Sequence, residues 1–401
     1  MMRLLIVLLL SLTMHSLSAA TTPLSLSGHH LTVRDVIDVA RHNKSVSITT
    51  ASKQTVEQSH QLLLAAARAD LAIYGLTRGV GLNKDKKIFE GKQQLSPEMI
   101  RLSEQYNRRA LYATSAGVGE NTSTELVRAT MLIRLNTLLL GYAGVQPQVV
   151  DLYAAFLNKQ ITPIIPARGS VGQADITILS HIGLAMMGEG EVMYQGERIS
   201  AASALHLARL KPLRPCAKDA LSIMSSNAYA TAIGVLAIDD LQKLLKVSYV
   251  IFALNMEGYN ANIEVFLPTV HQVRPYPYQI NAAQTILMNL KNSYLWSPSA
   301  NRALQEPLSY KTAAQNFAIV AEAVDEVQEK LSMQMNSSDD NPAVVLTNDI
   351  SALSKTASKY VVDDGRYRGV ILPTANYSPI TWVVSLEKLT NALSHFSHAT
   401  T

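Results

Sequence analysis

The chain of 401 residues holds one cysteine, Cys216, so no disulfide can form within it. Charge is sparse too: Asp, Glu, Lys and Arg make up 16% of the residues, against 48% apolar. That balance excludes a disordered chain and allows a large core, in one large domain or two ordinary ones. The formal net charge is +4, and the basic residues form no block, which leaves nucleic-acid binding without support. The ten histidines lack the i, i+4 spacing or the cysteine partners of a zinc site, so no metal constellation is present. His181, inside an apolar segment, reads as a hydrogen-bonded core histidine. Internal repeats and low-complexity tracts are absent. Strand signals are few: a short hairpin near Glu191–Arg198, and an ambiguous run at Ala343–Leu346.

What is present begins with an apolar N-terminus. Arg3 precedes Leu4–Leu12, almost pure Leu, Ile and Val, and small residues follow at Ser18 and Ala20. A basic start, a short apolar run and a small-residue site are the pattern of a secretory signal over residues 1–20. The run is short for a membrane span. A periplasmic or secreted protein, free of the membrane once the signal is removed, is the expectation; a retained anchor is the alternative.

Beyond it, Thr32 reads as the cap of a helix with Val33, Val36, Ile37 and Ala40 inward. Further helices are predicted over Thr50–Ala69, Pro97–Leu111, Ser123–Leu140, Gln148–Asn158, Gln279–Leu290, Thr312–Met335 and Thr381–His398. Lys218–Tyr259 is apolar on most faces, which asks for burial among helices or between subunits. Asp239, Asp240, Lys243 and Lys246 within it argue against a membrane span. Residues 21–401 thus read as a mainly α-helical domain with glycine-rich loops between long helices.

The loops carry the chemistry. Thr162–Gly196 approaches through Pro163 and Pro166, tightens at Gly169-Ser170-Val171-Gly172 and runs into an apolar helix ending at Gly188-Glu189-Gly190. A Gly-Ser-x-Gly turn at a helix head lets backbone amides and a hydroxyl converge on one point. It is no nucleophile elbow, which needs Gly-x-Ser-x-Gly. Tyr74 lies in Tyr74-Gly75-Leu76-Thr77-Arg78-Gly79-Val80-Gly81, either a packed phenol or a site residue; no Gly-Lys-Ser/Thr follows, so this is no Walker loop. Ala113–Gly117, Ser225-Ser226-Asn227 and Asn336–Asn341 complete the set, and Asp340-Asn341-Pro342 alone reads as a helix-terminating turn.

In their order these segments resemble the histidine and phenylalanine ammonia-lyases, the aromatic amino acid lyase family, from about Leu31 onward. The landmarks are Leu31-Thr32 with Asp35-Val36, Tyr74-Gly75 with Gly79 and Gly81, and Ser115-Ala116-Gly117-Val118-Gly119-Glu120. Arg134-Leu135-Asn136, Gly169–Gly172 with Gly188–Glu191, Gln305-Glu306-Pro307 and Asp340-Asn341-Pro342 follow. The resemblance implies a long-helix bundle of the fumarase/aspartase-like type, assembled as a homotetramer whose sites combine loops from several subunits. It also implies elimination of ammonia from an amino acid. By that analogy Tyr74 is the base, Ser170 lies near the reacting centre, and Lys311 meets the substrate carboxylate. Asn136, Asn341, Thr114 and Ser225 are polar contacts on the same ground.

Several positions depart from the family. Its electrophile, a methylidene-imidazolone, forms by cyclisation of Ala-Ser-Gly, whereas Gly172 here is followed by Gln173-Ala174-Asp175. The triad is absent and the segment is one residue shorter, so the group is not expected. A family histidine is Thr114, the Asn-Gly-Thr loop is Ser225-Ser226-Asn227, and a site tyrosine is Leu308. Lys311 replaces an arginine, keeping the charge and losing the bidentate fork. The family continues through a further helical segment beyond the position of Thr401. Two functions remain: a lyase acting on an amino acid or related amine without the usual prosthetic group, or a silent relative that binds a small ligand or a protein partner.

Overall fold

Hydroxyl side chains set where the helices begin. At the head of α1 (Val33–His42), Thr32 accepts from the Asp35 N–H while the Asp35 carboxylate accepts from the Thr32 N–H, a closed capping box. Thr49, Ser96 and Ser123 accept from backbone N–H groups at the heads of α2 (Thr50–Arg68), α3 (Pro97–Thr114) and α4 (Thr124–Leu139). Then come α5 (Pro147–Asn158), α6 (Ile176–Met186), α7 (Ala201–Leu207), α8 (Asp219–Met224) and α9 (Ala228–Gly258). The series ends with α10 (Pro268–Gln272), α11 (Pro277–Asn289), α12 (Leu308–Lys311), α13 (Ala313–Met335) and α14 (Ile380–Thr400). This computed structural model describes residues 22–88, 96–349 and 355–400; the expected signal over residues 1–20 lies outside them.

The mainly α class agrees with the sequence. The helix predicted over Ser123–Leu140 is α4, buried on all sides from Val127 to Leu139, because α1, α5 and α9 surround it. Leu132, Leu135 and Leu138, each at 0% exposure, contribute about 1.5–3 kcal/mol apiece by leaving water. Lys218–Tyr259, read as one helical run, breaks at residues 225–227 into α8 and α9. Ser226 and Asn227 turn there to bond Asp339. The most apolar window of the 219–258 stretch is long enough to cross a membrane, and 83% of it is buried inside the protein.

Short strands stitch the loops together. β1 (Leu24–Leu26) runs parallel to β2 (Val46–Ile48), and β3 (Val118–Asn121) is antiparallel to β5 (Pro166–Arg168). β4 (Ile161–Pro163) pairs β6 (Glu191–Tyr194), which forms the expected hairpin with β7 (Glu197–Ser200). The ambiguous run is a strand, β8 (Ala343–Leu346), at the edge of a sheet ordered β8-β10-β9, with β9 at Val361–Asp363 and β10 at Arg368–Leu372.

Among the described residues three apolar cores result. The main one joins α1, α4, α5, α6, the first half of α9 and the second half of α13. A second gathers the end of α9, α11 and the start of α13, where Tyr249 stacks on Phe317 at 4.0 Å. The third lies between α2 and the β8-β10-β9 sheet. Arg41 ties α1 to α4 and α9 through Glu125 at 2.8 Å and Asp239 at 2.5 Å.

Candidate active site

The Ser170 turn is held from beneath. Gly169 has φ +151°, and a Cβ there would stand 2.7 Å from Thr177 Oγ1 and 3.2 Å from the Gly117 Cα. Only glycine lets the 115–117 loop and this turn lie so close, and β3–β5 pairing keeps them side by side. Ser170 Oγ donates to Asp175 Oδ1 at 2.6 Å and accepts from Gly172 N at 3.2 Å. Asp175 is fully buried, and its second oxygen accepts from Ala230 N at 2.9 Å. Burial holds its carboxyl above the ordinary range, with the Ser170 hydroxyl and Ala230 N–H acting against that rise.

These residues do not fit the family's methylidene-imidazolone. The cyclising triad is missing, the one serine hydroxyl is committed to Asp175, and the Ala174 N–H donates to Asn227 Oδ1 at 3.2 Å. Val171 points away, 87% exposed.

Helix α8 is the strut that brings the loops together. Gly75 has φ +71°, and a Cβ on it would stand 2.4 Å from Leu221 Cδ2, so the Tyr74 loop lies directly on α8. The Tyr74 phenol, half-buried, accepts from Gly81 N at 3.0 Å. Tyr106 lies near it, its own phenol raised chiefly by burial and further by Tyr74. At the far end of α8, Thr114 Oγ1 meets Met224 Sδ at 3.3 Å and Ser180 Oγ at 2.7 Å. Ser225 caps α8 and is 7% exposed. Ser226 follows, and its carbonyl accepts from Asp175 N at 2.7 Å. Tyr74, Thr114, Ser170 and Ser225 are therefore all set by α8 and the turn after it.

His181 differs from its reading as a hydrogen-bonded core residue. It is half-buried, its Nε2 has no partner among the described residues, and it faces Gly117. Burial holds its imidazole below the ordinary value, favouring the neutral ring.

Other predicted residues stand apart. The Asn136 amide is fully buried: Oδ1 accepts from Gly28 N at 3.1 Å, and Nδ2 donates to Met335 O at 2.9 Å. It ties the N-terminal loop to the end of α13 rather than facing a cavity. Asn341 Oδ1 accepts from Thr374 N at 2.9 Å, just before the cis peptide to Pro342. Lys311 lies beside the second core, its Nζ donating to Gln305 Oε1 at 3.0 Å.

Sequence reasoning missed a buried ionic cluster beneath α8. Arg134 donates to Asp339 Oδ1 at 3.0 Å, to Asp340 Oδ1 at 3.1 Å and to the Ser222 carbonyl. Lys218 Nζ donates to Pro342 O at 3.2 Å and stands 3.7 Å from Asp340. All four ions are at most 2% exposed. Asp339 also accepts from Ser226 Oγ at 2.8 Å and Asn227 N at 2.7 Å, which fixes the turn between α8 and α9. The signal was in the sequence: an arginine within an otherwise apolar helix and an aspartate pair before proline require partners.

The family model of the aromatic amino acid lyases matches residues 31–401. The histidine ammonia-lyase of Gloeobacter violaceus is 33% identical over 323 residues, 80% of this chain and 61% of that protein. That of Streptococcus sanguinis is 32% identical over 351 residues, 87% and 64% respectively. The chain thus spans about three fifths of the length of these curated relatives. Among solved structures, the ergothioneine-degrading enzyme ergothionase from Treponema denticola, in complex with desmethyl-ergothioneine sulfonic acid, matches with a TM-score of 0.84. It is 35% identical and covers 94% of this chain and 70% of its own. The histidine ammonia-lyase of Trypanosoma cruzi, 21% identical with a TM-score of 0.76, shares the fold. With its landmark loops assembled around α8 and the family match running from residue 31 to residue 401, the chain belongs to the aromatic amino acid lyases.

Proposed function

We propose that this protein is a carbon–nitrogen lyase that removes an amine from an amino acid or a related betaine without a methylidene-imidazolone. The observation that carries this reading is the Ser170 turn, whose hydroxyl is held by buried Asp175 in a segment without the cyclising triad, in a chain that retains the Tyr74 loop. Tyr74, whose phenol oxygen accepts from the Gly81 N–H, takes a proton from the β-carbon. The C–H pair becomes the double bond, the Cα–N bond breaks, and the amine leaves.

Without an electrophile, the leaving group decides the substrate. The N–H protons of an ammonium are more acidic than a β C–H, so a base strong enough for carbon strips the nitrogen first. A trimethylated nitrogen has no N–H to lose and departs as neutral trimethylamine. Ergothioneine, on which the Treponema denticola relative acts, is a trimethylated histidine derivative, and this supports a betaine of that kind as substrate. Lys311 offers a cation to the carboxylate, Thr114, Ser225 and Asn341 offer polar contacts, and Asn136 acts as a positioning residue.

The working form in this reading is a homotetramer. Tyr74 packs on the main core and Lys311 lies beside the second, and in this reading the site joins Tyr74 of one copy to Lys311 of another. Leu244, Val247, Ile251 and Leu254 form an apolar stripe on α9, 59%, 53%, 51% and 62% exposed, suited to a second copy of that helix. We propose export as well, from the N-terminal run; a mature protein still starting at Met1 in the cytosol refutes it.

Incubation with trimethyl-L-histidine is expected to release trimethylamine and an unsaturated imidazole acid that absorbs in the near ultraviolet, while L-histidine stays unchanged. Tyr74→Phe is expected to slow this by about 10²-fold or more. The intact mass stays that of the unmodified chain; loss of two water molecules would overturn the route. Ligand-induced melting shifts without release from any betaine or amino acid would make the protein a silent binding relative.

A further inference from the structure

A cavity of about 160 Å³ lies between α2 and α3, against the Tyr74 loop. Leu64 of α2, Met99 and Ile100 of α3 and Leu76 of the loop give it apolar walls, and exposed Ile100 marks its mouth. Among the described residues no carboxylate, ammonium or guanidinium lines it. Burial, with Asp219 and Glu104 adding to it, pushes the Cys216 thiol up, so that part of the wall is uncharged as well. Tyr74, Thr114, Ser170, Ser225 and Lys311 all lie outside the lining, which sets the cavity apart from the candidate active site.

Two of its three polar side chains are engaged. Ser103 Oγ accepts from Ala217 N at 2.9 Å, and Cys216 Sγ accepts from Gln146 Nε2 at 3.6 Å. The third, His60, is 7% exposed and meets the Gly144 carbonyl through Nδ1 at 2.9 Å. A carbonyl only accepts, so Nδ1 carries the proton, and in the neutral ring Nε2 is the acceptor. That Nε2 has no hydrogen-bond partner among the described residues, and unlike the Nε2 atoms of His181 and His271 it is not sealed off. The surface it keeps opens on the cavity whose wall its ring forms. An apolar cavity of ~150 Å³ stays dry and takes benzene. This one adds a single acceptor. We infer that the cavity is a binding site for a small uncharged aromatic molecule with one hydrogen-bond donor, of which phenol is the simplest. Its hydroxyl donates to His60 Nε2 while its ring fills the space between Leu64, Leu76 and Met99. Amino acids and betaines are excluded there, because nothing in the wall meets their ions.

The full chain tests this without a variant, because Cys216 is its one thiol and stands in the same wall. N-Ethylmaleimide adds to that thiol: a carbon–sulfur bond forms, the thiol proton passes to the neighbouring carbon, and intact mass counts the adduct. Phenol is expected to slow the addition several-fold at saturation, whereas benzoate, of similar size but charged, leaves it unchanged. Amide exchange at Leu76, slowed by phenol and not by benzoate, gives the same reading where the thiol reacts too slowly to time. Calorimetry with phenol and toluene isolates the acceptor. His60→Leu is expected to lower the ratio of phenol to toluene affinity by about tenfold, since toluene needs no partner. Equal effects of phenol and benzoate, no effect of phenol on either Cys216 or Leu76, or a ratio unchanged in His60→Leu overturns the inference. None of these readouts uses turnover, so a protein that binds phenol here without eliminating any amine would sink the lyase reading alone. Elimination without phenol binding would do the reverse.

Discussion

Lys218 carries its charge into the interior at 0% exposure, and burial pushes its ammonium down to about 8 from 10.5, against the pull of Asp340. Between those values the unfolded chain binds more protons at this residue than the folded one, so its contribution to stability rises with pH across that window. Below pH 8 the cost of the buried cation is fully present. Lys218→Met removes the titration. The stability of the wild type relative to the variant, from urea midpoints, is therefore expected to increase from about pH 8 to about pH 10.5. A flat difference would mean that Lys218 is not buried as described. This residue was not legible in the sequence, because its depth is set by Asp340 and Pro342, far along the chain. Tyr74 stood out, since Gly75, Gly79 and Gly81 follow it closely, yet its support from Gly81 needed the fold of the loop.

At the scale of elements, the break between α8 and α9 organises the site more than either helix does. Asn227 holds it: Oδ1 accepts from Ala174 N at 3.2 Å, and Nδ2 donates to Tyr377 O at 2.8 Å. Asn227→Ala leaves both groups without that partner in a buried setting. It is expected to cost about 2–4 kcal/mol of stability in urea unfolding and to speed amide exchange at Ala174. Unchanged exchange at Ala174 would sink the idea that Asn227 fixes the Ser170 turn. The long helices were readable from their apolar period and hydroxyl caps, often to within a few residues. The break was half readable: Ser225-Ser226-Asn227 signalled a loop inside a run whose composition otherwise continues as helix. Strands of three or four residues, such as β1, β4 and β5, are too short to display a period.

At the scale of the molecule, the proposed function divides the site between copies of the chain. One chain sets Tyr74, Thr114, Ser170 and Ser225 around α8, while Lys311 lies beside another core. The exposed stripe on α9 from Leu244 to Leu254 would join copies through that helix. Leu254→Glu puts a charge into the stripe and is expected to lower the mass measured by light scattering and abolish turnover together. Mixing separates a divided site from a contained one. Tyr74→Phe and Lys311→Met chains are each expected to be nearly inactive as homotetramers. If each site takes Tyr74 from one copy and Lys311 from another, random co-assembly leaves about one quarter of the sites with both native side chains. Activity should then reappear on mixing denatured variants and refolding them together. If both residues served the same site from one chain, no mixture would contain an intact site and activity would stay at the level of the variants. That second outcome would overturn the shared site even if the tetramer itself were found.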